Sequence, residues 1–286
     1  MSTITFSHPT YKVPITLPSG LSQEQLLAFH PFSSWLSTLQ ASLSAQHTDP
    51  THPFHAAPYT LNSITVQSYD LFRHPVPRLG FVKLTASITN RNRESLPGAV
   101  FLRGPSVAVL VILVPEDVGS VKDEEKERWV ILTVQPRPAS GSLGFVELPA
   151  GMVDDETGDF AGAAAREMEE ELEMKIRKGD LVCLSELAGD VQPEGATDQS
   201  GVPLPHGMYP SPGACDEYIR IYMHERRVPR AQLAEWEGKL TGLREHGEKI
   251  TLKLIKMKDL WRQAARDAKA LSALALWEGL KREGKI

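Results

Sequence analysis

The residues best suited to chemistry lie in one acidic stretch, REMEEELEM, at positions 166–174. If residues 161–174 form a helix, Glu167, Glu170 and Glu171 are spaced at i, i+3 and i+4, so their side chains share one stripe of its surface. Without a counter-ion, these carboxylates repel one another. A hard divalent cation removes the repulsion, because it binds oxygen ligands and is commonly held by a few carboxylates together with substrate phosphates. The spacing predicts a metal site for Mg²⁺, with Mn²⁺ as an alternative.

A glutamate-rich helix is also a common solvated surface, and this interpretation stays open when the helix is considered alone. The residues before it favour a site. Residues 149–151, Pro-Ala-Gly, follow a strand-like segment, and glycine lets the backbone turn tightly. Such a turn can direct the Ala150 carbonyl toward the same cation as the glutamates. We also expect Arg166, one turn before Glu170, to pair with it and orient its carboxylate.

These residues require a sheet on which the turn and the helix can be placed. The apolar run at residues 107–114 predicts a buried strand, and residues 129–135 predict a second one. Between them, residues 115–128 are charged and lack apolar periodicity, which predicts an exposed hairpin loop. Further strands and a C-terminal helix follow the acidic helix. This part of the chain is therefore predicted to be a mixed α/β domain.

A region of different character precedes this domain. Apolar residues recur at helical spacing within residues 32–43. Residues 64–72 and 81–88 alternate in polarity and are separated by turn residues, which predicts an antiparallel sheet. We therefore predict an N-terminal helix and antiparallel β domain at residues 1–97 and a larger α/β domain at residues 98–286.

The composition argues against several functions. With 286 residues, of which 41% are hydrophobic, the chain can bury a substantial core. Its net charge of -5 provides no basic field for nucleic acid or an anionic membrane surface. No apolar run is long enough to span a bilayer, and two cysteines do not imply a disulfide framework. The first residues lack the apolar segment of a secretory signal, so we expect a cytoplasmic protein, and import into an organelle stays open.

Together, the turn and the acidic stretch resemble the Nudix hydrolases, whose box reads G-x5-E-x7-R-E-U-x-E-E-x-G-U, where U is aliphatic. Gly151 and residues 166–174 match most of it. The interval from Gly151 to Arg166 is one residue longer than the pattern, which leaves Glu156 out of step, and Glu173 replaces the second glycine. The segments LPGAVFLRGPSVAVLVIL, ELPAGMVDDETGDF, SPGACDE and DAKALSALALWE are similar to the ADP-sugar diphosphatase branch, especially its plant-type members.

This resemblance implies a fold, an activity and an assembly. The fold is a Nudix α/β/α sandwich with a mixed sheet, plus a smaller N-terminal β-rich domain. The activity is Mg²⁺-dependent hydrolysis of the diphosphate bond of ADP-sugars, such as ADP-ribose and ADP-glucose, to AMP and a sugar phosphate. The assembly is commonly a homodimer in which N-terminal residues help to form the partner's nucleotide pocket.

The resemblance also implies roles for residues of the turn and the acidic helix. Glu167, Glu170 and Glu171 bind Mg²⁺ in this interpretation, and the Ala150 carbonyl completes the coordination. Glu170 and Arg166 are further assigned to catalysis. These residues are therefore the predicted catalytic centre.

Residues outside this centre are predicted to supply the base and the substrate contacts. Glu248 best matches a loop glutamate that relatives use in catalysis, and Glu245 is the second choice. Either Glu248 or a glutamate of the box would deprotonate the attacking water. Arg137, Glu147 and Glu217 are predicted to contact the substrate. Two alternatives stay open: Arg137 and Glu147 can simply pair with each other, and Glu217 can be an exposed surface residue.

Three other functions stay open. UDP-glucose or another nucleoside-diphosphate sugar can be the substrate, because the box recognises the diphosphate and says little about base or sugar. A catalytically silent nucleotide-sugar sensor is favoured by the departures at Glu156 and Glu173, whereas the intact glutamates of the box oppose it. A cation-binding structural domain explains the acidic helix but not the turn or the later loop glutamates.

Overall fold

The computed structural model describes residues 3–72, 77–153, 158–189, 204–243, 245 and 248–286. The chain divides into two compact units. Among the described residues, the first unit is built on residues 3–105, 204–205 and 211–217, and the second is built on residues 106–189, 206–210 and 218–286. The predicted metal and catalytic residues belong to the second unit.

The first unit contains a sheet and helices. Its strands are β1 (Ile4–Ser7), β2 (Pro14–Leu17), β3 (Tyr59–Phe72), β4 (Arg78–Asn90) and β5 (Ala99–Leu102), and its helices are α1 (Gln23–Ala28) and α2 (His30–Thr48). The strand order is β1-β2-β3-β4-β5. Strands β3 and β4 are antiparallel, which confirms the predicted pairing. Within the described residues, no helix of either unit is long and apolar enough to cross a membrane.

Strand β5 extends the first unit beyond the predicted boundary between residues 97 and 98. It pairs antiparallel with β4, with Leu102 opposite Val82, and the unit continues to Pro105. As a limit between independently folding domains, the boundary at residues 97 and 98 stays a prediction.

The second unit is a mixed sheet with helices. Its strands are β6 (Ser106–Pro115), β7 (Trp129–Arg137), β8 (Ser142–Glu147), β9 (Ala150–Met152), β10 (Val182–Cys183), β11 (Ile219–Val228), β12 (Leu240–Thr241) and β13 (Ile250–Lys256). Its helices are α3 (Val121–Glu127), α4 (Phe160–Leu172), α5 (Leu184–Gly189), α6 (Arg230–Trp236), α7 (Leu260–Gln263) and α8 (Ala268–Arg282). The strand order is β10-β11-β6-β7-β13-β12, with β8 paired to β7 and β9 paired to β6. Strands β6 and β11 are parallel, whereas β6 and β7 are antiparallel.

Strand β6 shows how the layers are built. All of its residues are buried, and successive side chains of a strand point to opposite faces. Val107, Val109 and Val111 share a core with residues of α4 and α6. Ala108 and Leu110 share a second core with residues of α5, α7 and α8. Helices therefore cover both faces of the sheet, which confirms the predicted α/β/α sandwich and explains the continuous apolar run.

The predicted hairpin loop at residues 115–128 is wrong in its second half, where α3 forms. The Ser120 side chain accepts a hydrogen bond from the Asp123 N–H at 3.2 Å and caps the helix. Arg230 pairs with Glu127 at 3.2 Å. This helix is specified by its cap and by distant ion pairs rather than by an apolar stripe, so a search for apolar periodicity missed it.

Candidate metal and substrate site

Helix α4 forms where the sequence predicted it and carries the three glutamates. Asp159 caps its first turn by accepting a hydrogen bond from the Gly162 N–H at 2.9 Å. Ala164, Met168 and Leu172 are fully buried against the sheet, so the rotation of the helix about its axis is fixed. Along the acidic stripe, burial then differs sharply between residues: Glu170 is exposed, Glu167 is half-buried and Glu171 is buried.

The carboxylate of Glu171 is enclosed and hydrogen-bonded. Its Oε1 accepts from Gln135 Nε2 at 3.2 Å, and its Oε2 accepts from the Ala150 N–H at 3.1 Å. Burial raises the pKa of Glu171 to about 8, and the negative charges of Glu167 and, more weakly, Glu248 act in the same direction. The hydrogen bonds from Gln135 and Ala150 oppose this increase. The end of α4 is thus a buried acidic site attached to the turn.

Gly151 brings the turn and the helix together. It lies in β9, and its φ is not among the positive values of the described glycines, so the predicted role in a tight turn is not the reason for glycine here. A Cβ atom at this position would instead overlap the carboxylate of Glu167. Only glycine allows the helix carboxylate to approach the backbone so closely.

The donors around this point suit a hard cation. Glu167 and Glu171 contribute carboxylate oxygens, and both approach the Ala150–Gly151 backbone. Among the described residues, no group of three or more His, Cys, Asp or Glu side chains is arranged to hold a metal ion. In the described structure, the three predicted glutamates therefore do not converge on one point, since Glu170 faces solvent. The oxygen-only donor set and the like-charged pair of Glu167 and the buried Glu171 nevertheless fit Mg²⁺ better than a softer metal.

Arg166 is exposed, and its position differs from the expected one. Glu170 is also exposed, and in the described part of the chain these two side chains form no ion pair with each other. The pKa of Asp159 at the start of α4 is lowered, first by a hydrogen bond from Lys178 and only weakly by the charge of Arg166. Arg166 is therefore not held against Glu170 in the described structure.

Glu248 lies near the acidic site. Its Oε2 accepts a hydrogen bond from the Leu243 N–H at 3.0 Å, and its charge contributes to the raised pKa of Glu171. Glu245, the second choice, is exposed. These contacts thus favour Glu248 over Glu245 as the candidate for the general base. Glu156 lies outside the described residues.

Arg137 and Glu147 pair with each other, as one alternative predicted. Arg137 Nε donates to Glu147 Oε1 at 2.6 Å, while Lys269 Nζ donates to Oε2 at 2.7 Å. The side chain of Glu147 is 4% exposed, whereas that of Arg137 is 42% exposed. Lys269 also pairs with Asp267 at 2.9 Å. Burial opposes the charge of Lys269, but the charges of Asp267 and Glu147 outweigh it and raise the pKa of this amine.

Three further residues of this region, Gln135, Asp267 and Lys269, were not predicted from the sequence. Asp267 precedes α8 and accepts a hydrogen bond from the Lys269 N–H at 3.1 Å. An Asp before an apolar helix is a capping signal that could have indicated this element. Nothing in the local sequence pairs Lys269 with Glu147, because 122 positions separate them.

Glu217 belongs to the first unit. It forms an ion pair with Arg103 at 3.2 Å, and its side chain is 13% exposed, which argues against an exposed surface position. The neighbouring Asp216 accepts a hydrogen bond from the Arg103 N–H at 2.8 Å. The described contacts of this loop therefore fix Glu217 within its own unit.

Comparisons with known proteins identify the family of this chain. The NUDIX domain model matches residues 113–274. Nudix hydrolase 14, chloroplastic, of Arabidopsis thaliana is 34% identical over 284 residues, which is 98% of this chain and 81% of that protein. A crystal structure of an ADP compounds hydrolase aligns with 79% of this chain and 99% of its own, with a TM-score of 0.42 and 16% identity. Because the domain model spans more than half of the sequence and the plant relative aligns along almost all of it, the chain belongs to the Nudix hydrolase family and is a Nudix pyrophosphatase, as the resemblance predicted.

Proposed function

We propose that this Nudix hydrolase cleaves the diphosphate bond of ADP-sugars, including ADP-ribose and ADP-glucose, and releases AMP and a sugar phosphate. The observation that carries the proposal is the buried Glu171 carboxylate, which lies beside Glu167 and accepts a hydrogen bond from the Ala150 N–H. Like charges in this position are stabilised by a cation, and a diphosphate is a natural further ligand of that cation. The branch-like segments around the box support ADP-sugars among such diphosphates.

The Nudix family generally uses divalent metal ions such as Mg²⁺, and here Glu167, Glu170, Glu171 and the Ala150 carbonyl are the proposed ligands. Because Glu170 is exposed, it would have to change its side-chain rotamer to join the other ligands. When bound, Mg²⁺ neutralises charge on the diphosphate and lowers the pKa of water.

Side chains of the protein carry out the remaining steps. Glu248 accepts a proton from water, the water oxygen attacks one phosphorus, and the bond between that phosphorus and the bridging oxygen breaks. Arg137 binds the diphosphate, because its guanidinium carries five N–H donors and Glu147 engages Nε. Glu147 then contributes to substrate binding through Arg137. Glu217 is a proposed substrate contact, and Arg166 is proposed to support the ligands of α4.

The test is product analysis with purified protein, MgCl₂ and a panel of ADP-ribose, ADP-glucose, UDP-glucose and NADH. We expect AMP and sugar phosphate from the ADP-sugars, with loss of turnover in Glu170→Gln. Glu169→Gln is the matched control, because Glu169 is an exposed residue of the same helix that pairs with Lys175 at 3.4 Å. Retained turnover in Glu170→Gln would refute the metal assignment. Binding of the panel without cleavage by the wild-type protein would identify a sensor instead.

Two further properties are part of the proposal. A homodimer is expected from the resemblance, and light scattering coupled to size-exclusion chromatography measures it directly. For location, we propose the cytoplasm, with an organelle as the alternative that the name of the chloroplastic plant relative supports. Microscopy of a full-length fluorescent fusion in the native cells distinguishes the two.

A further inference from the structure

Residues Leu148–Ala150, which lead into and begin the Pro-Ala-Gly turn, are each held by a hydrogen bond to a different part of the second unit. The Leu148 N–H donates to Asp267 Oδ2 at 2.8 Å. The Pro149 carbonyl accepts from a backbone N–H of β6 at 3.0 Å. The Ala150 N–H donates to the Glu171 carboxylate at 3.1 Å. Asp267, β6 and Glu171 therefore each hold the backbone that leads to the Ala150 carbonyl, a proposed metal ligand.

Asp267 depends in turn on Lys269. Its carboxylate is 3% exposed, and a buried carboxylate without a counter-charge is strongly unfavourable. Lys269 supplies the charge through a contact of 2.9 Å. The same Nζ donates to Glu147 Oε2 at 2.7 Å. One ammonium group thus pairs with two carboxylates, of which Asp267 bonds to the Leu148 N–H and Glu147 bonds to Arg137.

The contacts of Lys269 lead to the proposed site by two routes. Through Asp267 and Leu148 they reach the Ala150 carbonyl. Through Glu147 they reach the guanidinium of Arg137, which is 42% exposed and retains donors beyond the Nε that Glu147 engages. Buried ion pairs contribute little net stability, so stabilisation of the fold alone does not explain why four charged side chains are gathered at this point.

We propose that Lys269 is a positioning residue of this hydrolase: it fixes the Ala150 carbonyl for the metal ion and Arg137 for the diphosphate without touching either ligand. The inference deepens the proposed function and rests on it for the roles of Ala150 and Arg137. It gives α8 a role in positioning the Ala150 carbonyl and Arg137, which the residues of the box do not have.

The experiment compares Lys269→Met with Lys269→Arg in the full-length protein. Mn²⁺ affinity is measured without substrate from the electron paramagnetic resonance signal of free Mn²⁺, and kcat and KM are measured with ADP-ribose. For Lys269→Met, we expect Mn²⁺ affinity to fall about tenfold, in the range known for outer-shell partners of metal ligands, together with a rise in KM. Lys269→Arg should recover most of both, because it keeps the charge.

The matched control is Lys281→Met on the same helix, whose ammonium pairs with Glu125 at 2.9 Å in an exposed contact. It should leave Mn²⁺ affinity and KM at wild-type values. If Lys269→Met lowers only the melting temperature and leaves Mn²⁺ affinity and KM unchanged, Lys269 is structural and the inference is wrong. If Lys269→Met does not fold, Lys269→Gln, whose amide still donates hydrogen bonds, is judged by the same two values.

The metal measurement separates this inference from the proposed function. Wild-type protein that binds Mn²⁺ but cleaves no ADP-sugar refutes the substrate assignment, while loss of Mn²⁺ affinity in Lys269→Met still supports positioning. Wild-type protein that binds no Mn²⁺ refutes both, because no ion is then present for the turn to hold.

Discussion

Buried carboxylates of two kinds lie around residues 147–150, and they are neutralised differently. Glu147 and Asp267 are compensated within the chain, by Arg137 and Lys269. Glu171 accepts hydrogen bonds only from neutral donors, Gln135 and a backbone N–H, among the contacts that the described structure contains. Burial, reinforced by the negative charges of Glu167 and Glu248, raises its pKa to about 8.

The difference separates acids that orient the site from acids that bind its cation. A carboxylate with its own cationic partner is held in place and has little affinity left for an external ion. A buried carboxylate with neutral donors and acidic neighbours is unfavourable until a cation arrives. Burial alone therefore does not identify a metal ligand, and the charge of the partners must be included.

The largest expected effect is that of Glu171→Gln. Removal of a proposed metal ligand should lower kcat/KM by about a thousandfold, equivalent to about 4 kcal/mol. Without metal at neutral pH, this variant should be at least as stable as the wild type, because the neutral amide removes the cost of burying an acid whose pKa is raised to about 8. The amide of Gln135 can also rotate to restore both hydrogen bonds. Steady-state kinetics and denaturant unfolding in EDTA measure the two effects. If Glu171→Gln keeps its activity but is less stable than the wild type in EDTA, Glu171 orients the site, as Glu147 and Asp267 do, and does not bind the cation.

Glu147→Gln should have the opposite effect on stability from Glu171→Gln. The neutral amide leaves the buried ammonium of Lys269 with less compensation, so the free energy of unfolding should fall by about 3 kcal/mol. Glu125→Gln, which affects an exposed pair with Lys281, is the control and should change stability by less than about 1 kcal/mol. Urea unfolding measures the free energy of unfolding of both variants. Equal decreases in the two variants would contradict the distinction between buried and exposed ion pairs.

Removal of the metal should distinguish the same two acids. With Mg²⁺ at about 100 times its Kd, the wild-type protein should gain about 2.7 kcal/mol of stability over protein in EDTA. Glu171→Gln should lose this increment, and Glu147→Gln should keep it, since the Lys269–Asp267 contact to the turn remains. Unfolding curves with and without Mg²⁺ measure the increment. Its loss in both variants would mean that the two groups act as one metal site.

The parts of the molecule that were predicted from sequence are those that local patterns determine. Helical spacing placed Glu167, Glu170 and Glu171 on one stripe, and the continuous apolar run identified β6. The neutralising group of Glu147 was not predictable, because Lys269 lies 122 positions away and only the packed fold brings it there. The role of Gly151 was misjudged for a related reason: the close approach of Glu167 is a tertiary contact that leaves no local pattern.

The smallest expected effect concerns Glu173, an acid of α4 that belongs to neither group. It ends the helix in the left-handed conformation at φ 54, while the next N–H, of Met174, donates to the Met168 carbonyl at 3.0 Å. Glycine is favoured at such a position. Glu173→Gly should therefore stabilise the protein by about 0.5–1 kcal/mol, because the relief of about 1 kcal/mol of backbone strain exceeds the loss of an exposed ion pair with Lys239.

Glu173→Ala is the matched control, since alanine removes the same carboxylate but retains the strained conformation. It should gain no stability. Both variants should keep the Mg²⁺-dependent increment, because the carboxylate of Glu173 is directed to Lys239 rather than to the turn. Thermal unfolding in EDTA and in Mg²⁺ tests the two statements together. An equal gain in both variants would show that the charge of Glu173, rather than its backbone conformation, limits stability. Repulsion among the acids of α4 would then include an exposed residue as well as the buried Glu171.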